Sequence, residues 1–307
     1  MENKIILITG GAGFIGSHLV DSLIERRNKI IVIDNLSTGR KENLNPKAIF
    51  YNSDICDNSL SEIFDKEKPE IIFHLAAQIS VRKSVDSPLN DAKSNILGSV
   101  NVFENAKKYK VQKIIFTSTG GVMYGNADII PTPETYSARP LCPYGICKLS
   151  AEHYLDYYHK IFGLRYMALR LANVYGPRQD KNGEAGVVAI FCGKMLAHQN
   201  CVINGDGKQT RDYIYIKDVV AALESAIKTE KTGVYNIGTG IETDVNTIHS
   251  KIAELTNSNI KPIYGPEKSG DHRRGSLDAS KARAELDWKP RYAIENGLSE
   301  TVKWFKK

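Results

Sequence analysis

The chain has 307 residues, of which 42% are hydrophobic and 25% charged, enough for one large α/β domain or two smaller ones with a full core and no need of disulfides or metals. Its 41 basic and 35 acidic residues leave a net charge of +6 but are interspersed, which excludes a basic nucleic-acid arm and leaves a mild bias toward anionic small molecules. The first apolar run, Ile5–Thr9, is too short for a secretory signal, and no stretch reaches the ~18 apolar residues of a membrane span. Five cysteines (Cys56, Cys142, Cys147, Cys192, Cys201), odd in number and without metal-ligand spacing, read as reduced thiols of a cytoplasmic protein, with a redox pair of Cys142 and Cys147 the weaker reading.

In chain order, Lys4–Thr9 is a β-branched strand, Phe14–Arg27 a helix and Ile30–Ile33 a second strand. Ile71–Leu75 and Lys113–Thr117 read as buried strands separated by a helical stretch around Asn95–Lys108. Leu149–Phe162 reads as a helix and Tyr166–Leu171 as a strand. Strands alternating with helices predict an α/β fold, a doubly wound parallel Rossmann sheet with helices on both faces. After about Asn173, Gly, Pro and Asn become frequent, as in Asn204-Gly-Asp-Gly207. The expected organisation is a cofactor-binding domain over 1–172 and a smaller α/β substrate-binding domain over 173–307. Segments near 215–240 are candidates to rejoin the first domain.

Thr9-Gly-Gly-Ala-Gly-Phe-Ile-Gly16 follows the first strand and opens the first helix. In this arrangement Gly10 permits a tight turn, Gly13 lets a pyrophosphate approach the backbone, and Gly16 lets the helix pack on the strand. The anion then sits on the leading amides, including those of Phe14 and Ile15, at the positive end of the helix. Asp34, just after the second strand and followed by Asn35, can bond both hydroxyls of an adenine ribose and would repel a 2′-phosphate, which predicts NAD rather than NADP. Asp54 and Ile55 are expected near the adenine, with Asp54 as a plain turn residue the competing reading.

Tyr144 and Lys148 lie four residues apart at the start of a helical stretch, on one helix face. An ammonium beside a phenol favours the phenolate and lowers its pKa from ~10, which suits a general base toward a hydroxyl. His74, in a buried strand run, reads as a satisfied core histidine, and no cluster has metal spacing.

These features together resemble the extended short-chain dehydrogenase/reductase family, and within it the UDP-glucose 4-epimerases. The resemblance spans about residues 4 to 305. It rests on the glycine motif, His74-Leu-Ala-Ala-Gln78, Asn95, Ser118-Thr-Gly-Gly121, Tyr144 with Lys148, Arg170-Leu-Ala-Asn-Val-Tyr-Gly-Pro177, Arg211-Asp-Tyr213 and Gly270-Asp271. It implies that Leu75, Ala76, Ala77, Gln78 and Asn95 line the cofactor. It implies also that Tyr144 takes the proton of the sugar 4-hydroxyl, and that Lys148 holds the nicotinamide ribose and tunes Tyr144. The third member of the family's catalytic set is a hydroxyl, for which Thr119 and then Ser118 are the candidates, each with strand-end capping as its alternative. Asn173, Arg211, Lys268 and Asp271 match positions that contact the uridine diphosphate; Lys268 replaces a family arginine, with Arg273 and Arg274 nearby as compensation. Gly275 matches the position beside the sugar's C2 substituent, where a small residue leaves space for an N-acetyl group. Dehydratases and decarboxylases of the family carry a carboxylate after the catalytic Thr, where this chain has Gly120-Gly121. The implied activity is therefore epimerisation of a UDP-hexose at C4. A UDP-glucuronate 4-epimerase, a nucleotide-sugar reductase and a catalytically inactive NAD-binding regulator are the alternatives. A homodimer is expected, through the helices around Asn95–Lys108 and Leu149–Phe162 with their Tyr154, Tyr157 and Tyr158.

Overall fold

The structure is a computed structural model and describes residues 2–182, 186–267 and 273–307. The first stretch of chain runs β1 (Ile5–Thr9), α1 (Phe14–Glu25), β2 (Lys29–Asp34), β3 (Ile49–Asn52), α2 (Leu60–Glu67), β4 (Ile71–His74), α3 (Val81–Asp86) and α4 (Pro88–Ala92). A π-helical turn at Lys93–Leu97 leads into α5 (Gly98–Lys108), β5 (Lys113–Thr119), α6 (Pro143–Phe162) and β6 (Arg165–Leu171). The remainder is β7 (Asn173–Tyr175), α7 (Val187–Leu196), β8 (Val202–Asn204), β9 (Thr210–Tyr215), α8 (Ile216–Lys228), β10 (Gly233–Ile237), β11 (Glu242–Asp244), α9 (Val245–Thr256), β12 (Ile263–Gly265), α10 (Ser280–Leu286) and α11 (Ile294–Phe305).

Seven strands form one parallel sheet in the order β10-β6-β5-β4-β1-β2-β3. Its central strands are apolar at nearly every position because both faces are covered. Along β1, Ile6 and Ile8 join the core under α1 and α8, while Leu7 joins the core under α2, α5 and α6. The same alternation puts Ile71 and Phe73 of β4 on the first face and Ile72 on the second. Each such side chain contributes ~1.5–3 kcal/mol by leaving water. At the sheet edge β10 pairs with β6, so a strand from beyond residue 230 completes the sheet begun at residue 5. The buried Lys113 ties the two stretches together, since its ammonium donates to the Ala226 and Thr229 carbonyls at the negative end of α8.

The apolar stripe on α6 divides in two. Tyr158 is buried and donates to Glu104, so it belongs to the chain's own core and not to the expected outer stripe. Tyr154, Tyr157, Ile161 and Phe162 remain exposed, together with Leu97 ahead of α5. Beyond β6, two small sheets, β11-β9-β7 and β12-β8, sit among loops.

Candidate active site

The carboxyl ends of β1 and β4 adjoin where the strand order reverses, the place at which open parallel sheets leave a crevice for ligands. Gly10 turns the chain there with φ +74°, and a Cβ on it would come within 2.7 Å of the Ala76 nitrogen. A Cβ on Gly16 would collide with the Gly10 carbonyl, so α1 reaches its own entry turn only without that side chain. Gly13 at the N-cap supplies no side-chain acceptor, and the first turn of α1, opened by the half-buried Phe14 and Ile15, holds no acidic residue. The arrangement suits an external anion at the positive helix end.

Asp34 is buried at the end of β2. One carboxylate oxygen accepts from the Ala12 amide at 3.0 Å and the other from the Leu36 amide at 2.9 Å, which fixes the carboxylate against the glycine loop. A Cβ on Gly39 would lie 2.7 Å from it, so Gly39 keeps that side uncrowded; no motif pointed to this residue. Asn35 donates to Asp54 at 2.7 Å, and Asp54 also accepts the Cys56 amide at 2.8 Å, so Asp54 is a turn residue and a rim residue at once. The Ile55 side chain packs in the core against Gly98, not toward the rim.

The loop Leu75–Gln78 is held from below. Asn95, in the π-helical turn, accepts from the Gln78 amide and donates to its carbonyl, both at 2.9 Å. This places Asn95 as a support of the loop that carries Ala76 and Ala77. Thr9 Oγ1 accepts the Leu75 and Ala76 amides, so its own proton goes to His74 Nδ1 at 2.7 Å. His74 then donates from Nε2 to Ser99, which donates to the Asn95 carbonyl. Burial, and to a smaller degree Lys148, draws His74 down to about 3. It is a neutral core histidine, as its position in the strand predicts.

Tyr144 lies in the first turn of α6 and Lys148 one turn on, with the ammonium 5.9 Å from the Tyr144 ring centroid. Lys148 is buried, donates to the Thr117 carbonyl at 2.9 Å and lies over the Phe116 ring. The expected lowering of the Tyr144 pKa is not found in the free protein. Burial holds the phenol above its ordinary range, and Cys142 and Asp91 push the same way. Burial likewise draws Lys148 down to about 8, against the opposing carboxylates of Asp91 and Glu152. Loss of water disfavours both charged forms.

The two candidate hydroxyls separate clearly. Ser118 is buried and donates to Glu152 at 2.5 Å, and Glu152 is paired with Arg170 at 2.6 Å. Arg170 continues to the Tyr124 hydroxyl and that hydroxyl to Asn236. Thr119 is only half-buried, at the strand end beside Gly121.

A cleft beside Thr119 is lined by Gly120, Gly121, Tyr124, Asn173, Arg211 and Gly275 among others, so three of the expected substrate residues converge there from distant parts of the chain. Its wall is held by two buried residues, Asp212 of the Arg211-Asp-Tyr213 motif and Asn236, for which the sequence suggested no role. Asp212 accepts from the amides of Thr239, Gly240 and Leu277 and from the Thr239 hydroxyl. Asn236 donates to the Thr132 and Asp278 carbonyls. Arg273 pairs with Asp206 and Arg274 with Glu242, which commits both to local ion pairs. Lys268 and Asp271 lie outside the described residues. Among the described residues, no His, Cys, Asp and Glu cluster has metal-binding geometry, and no helix is long and apolar enough to cross a membrane.

The model of the NAD dependent epimerase/dehydratase family matches residues 6–238, and the chain belongs to that family. A putative UDP-glucose 4-epimerase of Methanocaldococcus jannaschii is 45% identical over 302 residues, 98% of each chain. The solved UDP-glucose 4-epimerase of Thermotoga maritima, with UDP-glucose, superposes with a TM-score of 0.97 at 50% identity over 98% of both chains. The UDP-N-acetylglucosamine 4-epimerase of Methanobrevibacter ruminantium, in complex with UDP-N-acetylmuramic acid, superposes at 0.95 with 38% identity, covering 100% of this chain and 99% of that one.

Proposed function

We propose that the protein interconverts UDP-hexoses epimeric at C4, with UDP-glucose and UDP-galactose as its pair. The observation that carries this reading is Lys148, one turn of α6 beyond Tyr144, donating to the Thr117 carbonyl of β5, whose end runs into a cleft where Gly120-Gly121 supplies no carboxylate. Without an acid to protonate a leaving hydroxyl, elimination has no catalyst, which leaves oxidation and reduction at one carbon. Gly10, Gly13 and Gly16 would hold the pyrophosphate of NAD, Asp34 its adenine ribose and Lys148 its nicotinamide ribose; the uncapped helix end and the close glycine contacts fit that group. Bound NAD supplies a reversible hydride acceptor for the sugar's C4, which makes a transient 4-ketone and inversion available.

The chain's own residues move the proton and hold the ends. Tyr144 Oη takes the proton of the 4-hydroxyl and gives it back. Tyr144 does this as the phenolate and becomes a phenol until the proton is returned; the Lys148 ammonium offsets the phenolate charge that stands before the proton is taken. The Thr119 hydroxyl orients the 4-oxygen, whereas Ser118 serves the buried Glu152–Arg170 pair. Asn173 and Arg211 grip the diphosphate, with Lys268 and Asp271 as further contacts, so that the hexose turns while the nucleotide stays. Residues 1–172 together with β10 carry the cofactor, and the rest of 173–307 carries the nucleotide sugar. Gly275 leaves space for an N-acetyl group, so UDP-N-acetylglucosamine is a second substrate. The exposed Leu97, Tyr154, Tyr157, Ile161 and Phe162 pair two copies across a two-fold axis. The five free cysteines fit a cytoplasmic enzyme.

The test is conversion of UDP-galactose to UDP-glucose by the purified protein with no stoichiometric NAD added. UDP-N-acetylglucosamine and UDP-glucuronate are assayed in parallel, and the mass is measured by light scattering. Consumption of added cofactor would instead indicate a reductase, exclusive turnover of UDP-glucuronate would overturn the hexose assignment, and no turnover at all would leave an NAD-binding regulator.

A further inference from the structure

We propose that Asp91 is a positioning residue for the Tyr144–Lys148 pair, a buried carboxylate that fixes the cofactor-side loop with one oxygen and sets the charge balance of the pair. The inference rests on the reading that Tyr144 and Lys148 perform the proton transfer.

Asp91 lies on α4 and is 1% exposed. Its Oδ1 accepts from Gln78 Nε2 at 2.7 Å and from Asn95 Nδ2 at 2.9 Å, so it braces the loop side chain and the residue that holds the loop backbone. Its Oδ2 is buried and has no hydrogen-bond partner among the described residues. A bare carboxylate oxygen removed from water is costly unless positive charge lies near. The cation within its influence is Lys148, and Asp91 is the leading carboxylate that counters the effect of burial there. It also acts on Tyr144 and Cys142, and the Cys147 thiol donates it a weak hydrogen bond that raises that thiol further.

The other groups around the pair do not replace it. Burial pushes the Cys147 thiol up to about 12, so it stays neutral. The Cys142 thiol is raised as well. His74 on β4 is neutral. Glu152, on α6 itself, is tied to Arg170 of β6 and to Ser118. From β5 come the Thr117 carbonyl and the Phe116 ring, and from the π-helical turn the amide of Asn95. Arg82, Lys83 and Asp86 of α3 are exposed, and Glu104 of α5 pairs with Lys107 and Tyr158. Among the described residues, Asp91 is thus the carboxyl group acting on Lys148 that no other cation pairs with, Glu152 being held by Arg170. It keeps the ammonium charged in a site that would otherwise discharge it, and it delays ionisation of Tyr144 until the positively charged cofactor is present.

The sign of the test follows from charge alone. Removing a neighbouring negative charge lowers the pKa of every titrating group near it, whichever group owns which limb of the profile. In Asp91→Asn, which keeps an acceptor oxygen for Gln78 and Asn95, both limbs of the pH profile of kcat/KM move to lower pH by ~1 unit. Asp91→Glu retains the charge and keeps the limbs at the wild-type positions, even where its rate falls. Asp91→Ser is measured alongside as a second neutral variant. Limbs that stay in place in the folded neutral variants overturn the proposal, as does a fold that only Asp91→Glu retains, for then the carboxylate is structural. Tyr144→Phe, measured in the same series, keeps the two readings apart. If it remains active, the proton-transfer reading fails. If it is inactive while the Asp91→Asn profile is unmoved, only the Asp91 proposal fails.

Discussion

The glycine turn and the helix that follows it, from Gly10 to Asp34, present mostly backbone within one βαβ unit, with the Asp34 carboxylate closing it. The cleft near Thr119 instead brings together Gly121, Asn173, Arg211 and Gly275 from separate stretches of chain, held by the buried side chains of Asp212 and Asn236. The first wall needs little beyond the absence of Cβ atoms at Gly10 and Gly16 and a free helix end. The second needs polar side chains, far apart in sequence, to be satisfied simultaneously. A backbone wall tolerates few substitutions at its glycines and presents the same amides whatever lies around it. A side-chain wall can be retuned for another sugar without disturbing the sheet.

Tyr144, in the first turn of α6, gives the largest expected effect. Tyr144→Phe lowers kcat by at least ~10²-fold, the lower range for general acid–base catalysis, while NAD content and thermal stability stay at wild-type values. Near-normal turnover would remove Tyr144 from the mechanism.

Asp34→Ala probes the backbone wall. It withdraws acceptors from the Ala12 and Leu36 amides as well as from the ribose, so NAD affinity falls by ~10-fold or more, the scale of a charged hydrogen bond. Discrimination against NADP falls with it. Equilibrium binding of both cofactors measures this, and unchanged NAD affinity would overturn the assignment.

Thr119→Ala and Ser118→Ala sharpen the contrast between a residue of the cleft and one of the core. The first lowers kcat by ~10-fold or more with little change in stability. The second lowers stability by ~1–3 kcal/mol, because it strips a donor from the buried Glu152. Chemical denaturation and steady-state kinetics on both variants separate the two roles. A larger kcat loss in Ser118→Ala would exchange the assignments.

His74, on β4, affects stability alone and not turnover. Its pKa is held at about 3 in the fold against the ordinary 6.5. It therefore contributes stability above that ordinary value and loses it as the pH falls from 6.5 toward 3. Over that window it costs ~1.4 kcal/mol per pH unit. Denaturation midpoints taken through this range should fall more steeply in wild type than in His74→Gln, and equal slopes would show that another group titrates.

The sequence by itself determined the parallel sheet, the glycine turn, the Tyr144–Lys148 spacing and the core role of His74. Each depends on contiguous residues: a period of alternation, a missing Cβ, one turn of helix. Only the tertiary structure decided that Ser118 is committed to the buried Glu152 while Thr119 stays half-buried, because the two are adjacent and project from opposite sides of the strand. It also decided that Ile55 and Tyr158 pack inward, and that Asp91, Asp212 and Asn236 hold the site. Their meaning comes from partners on other elements, as Asp212 shows by binding Thr239, Gly240 and Leu277. The Tyr144 pKa belongs with these: spacing predicts attraction to Lys148, but the loss of water that raises it exists only once α6 is packed against β5 and α4.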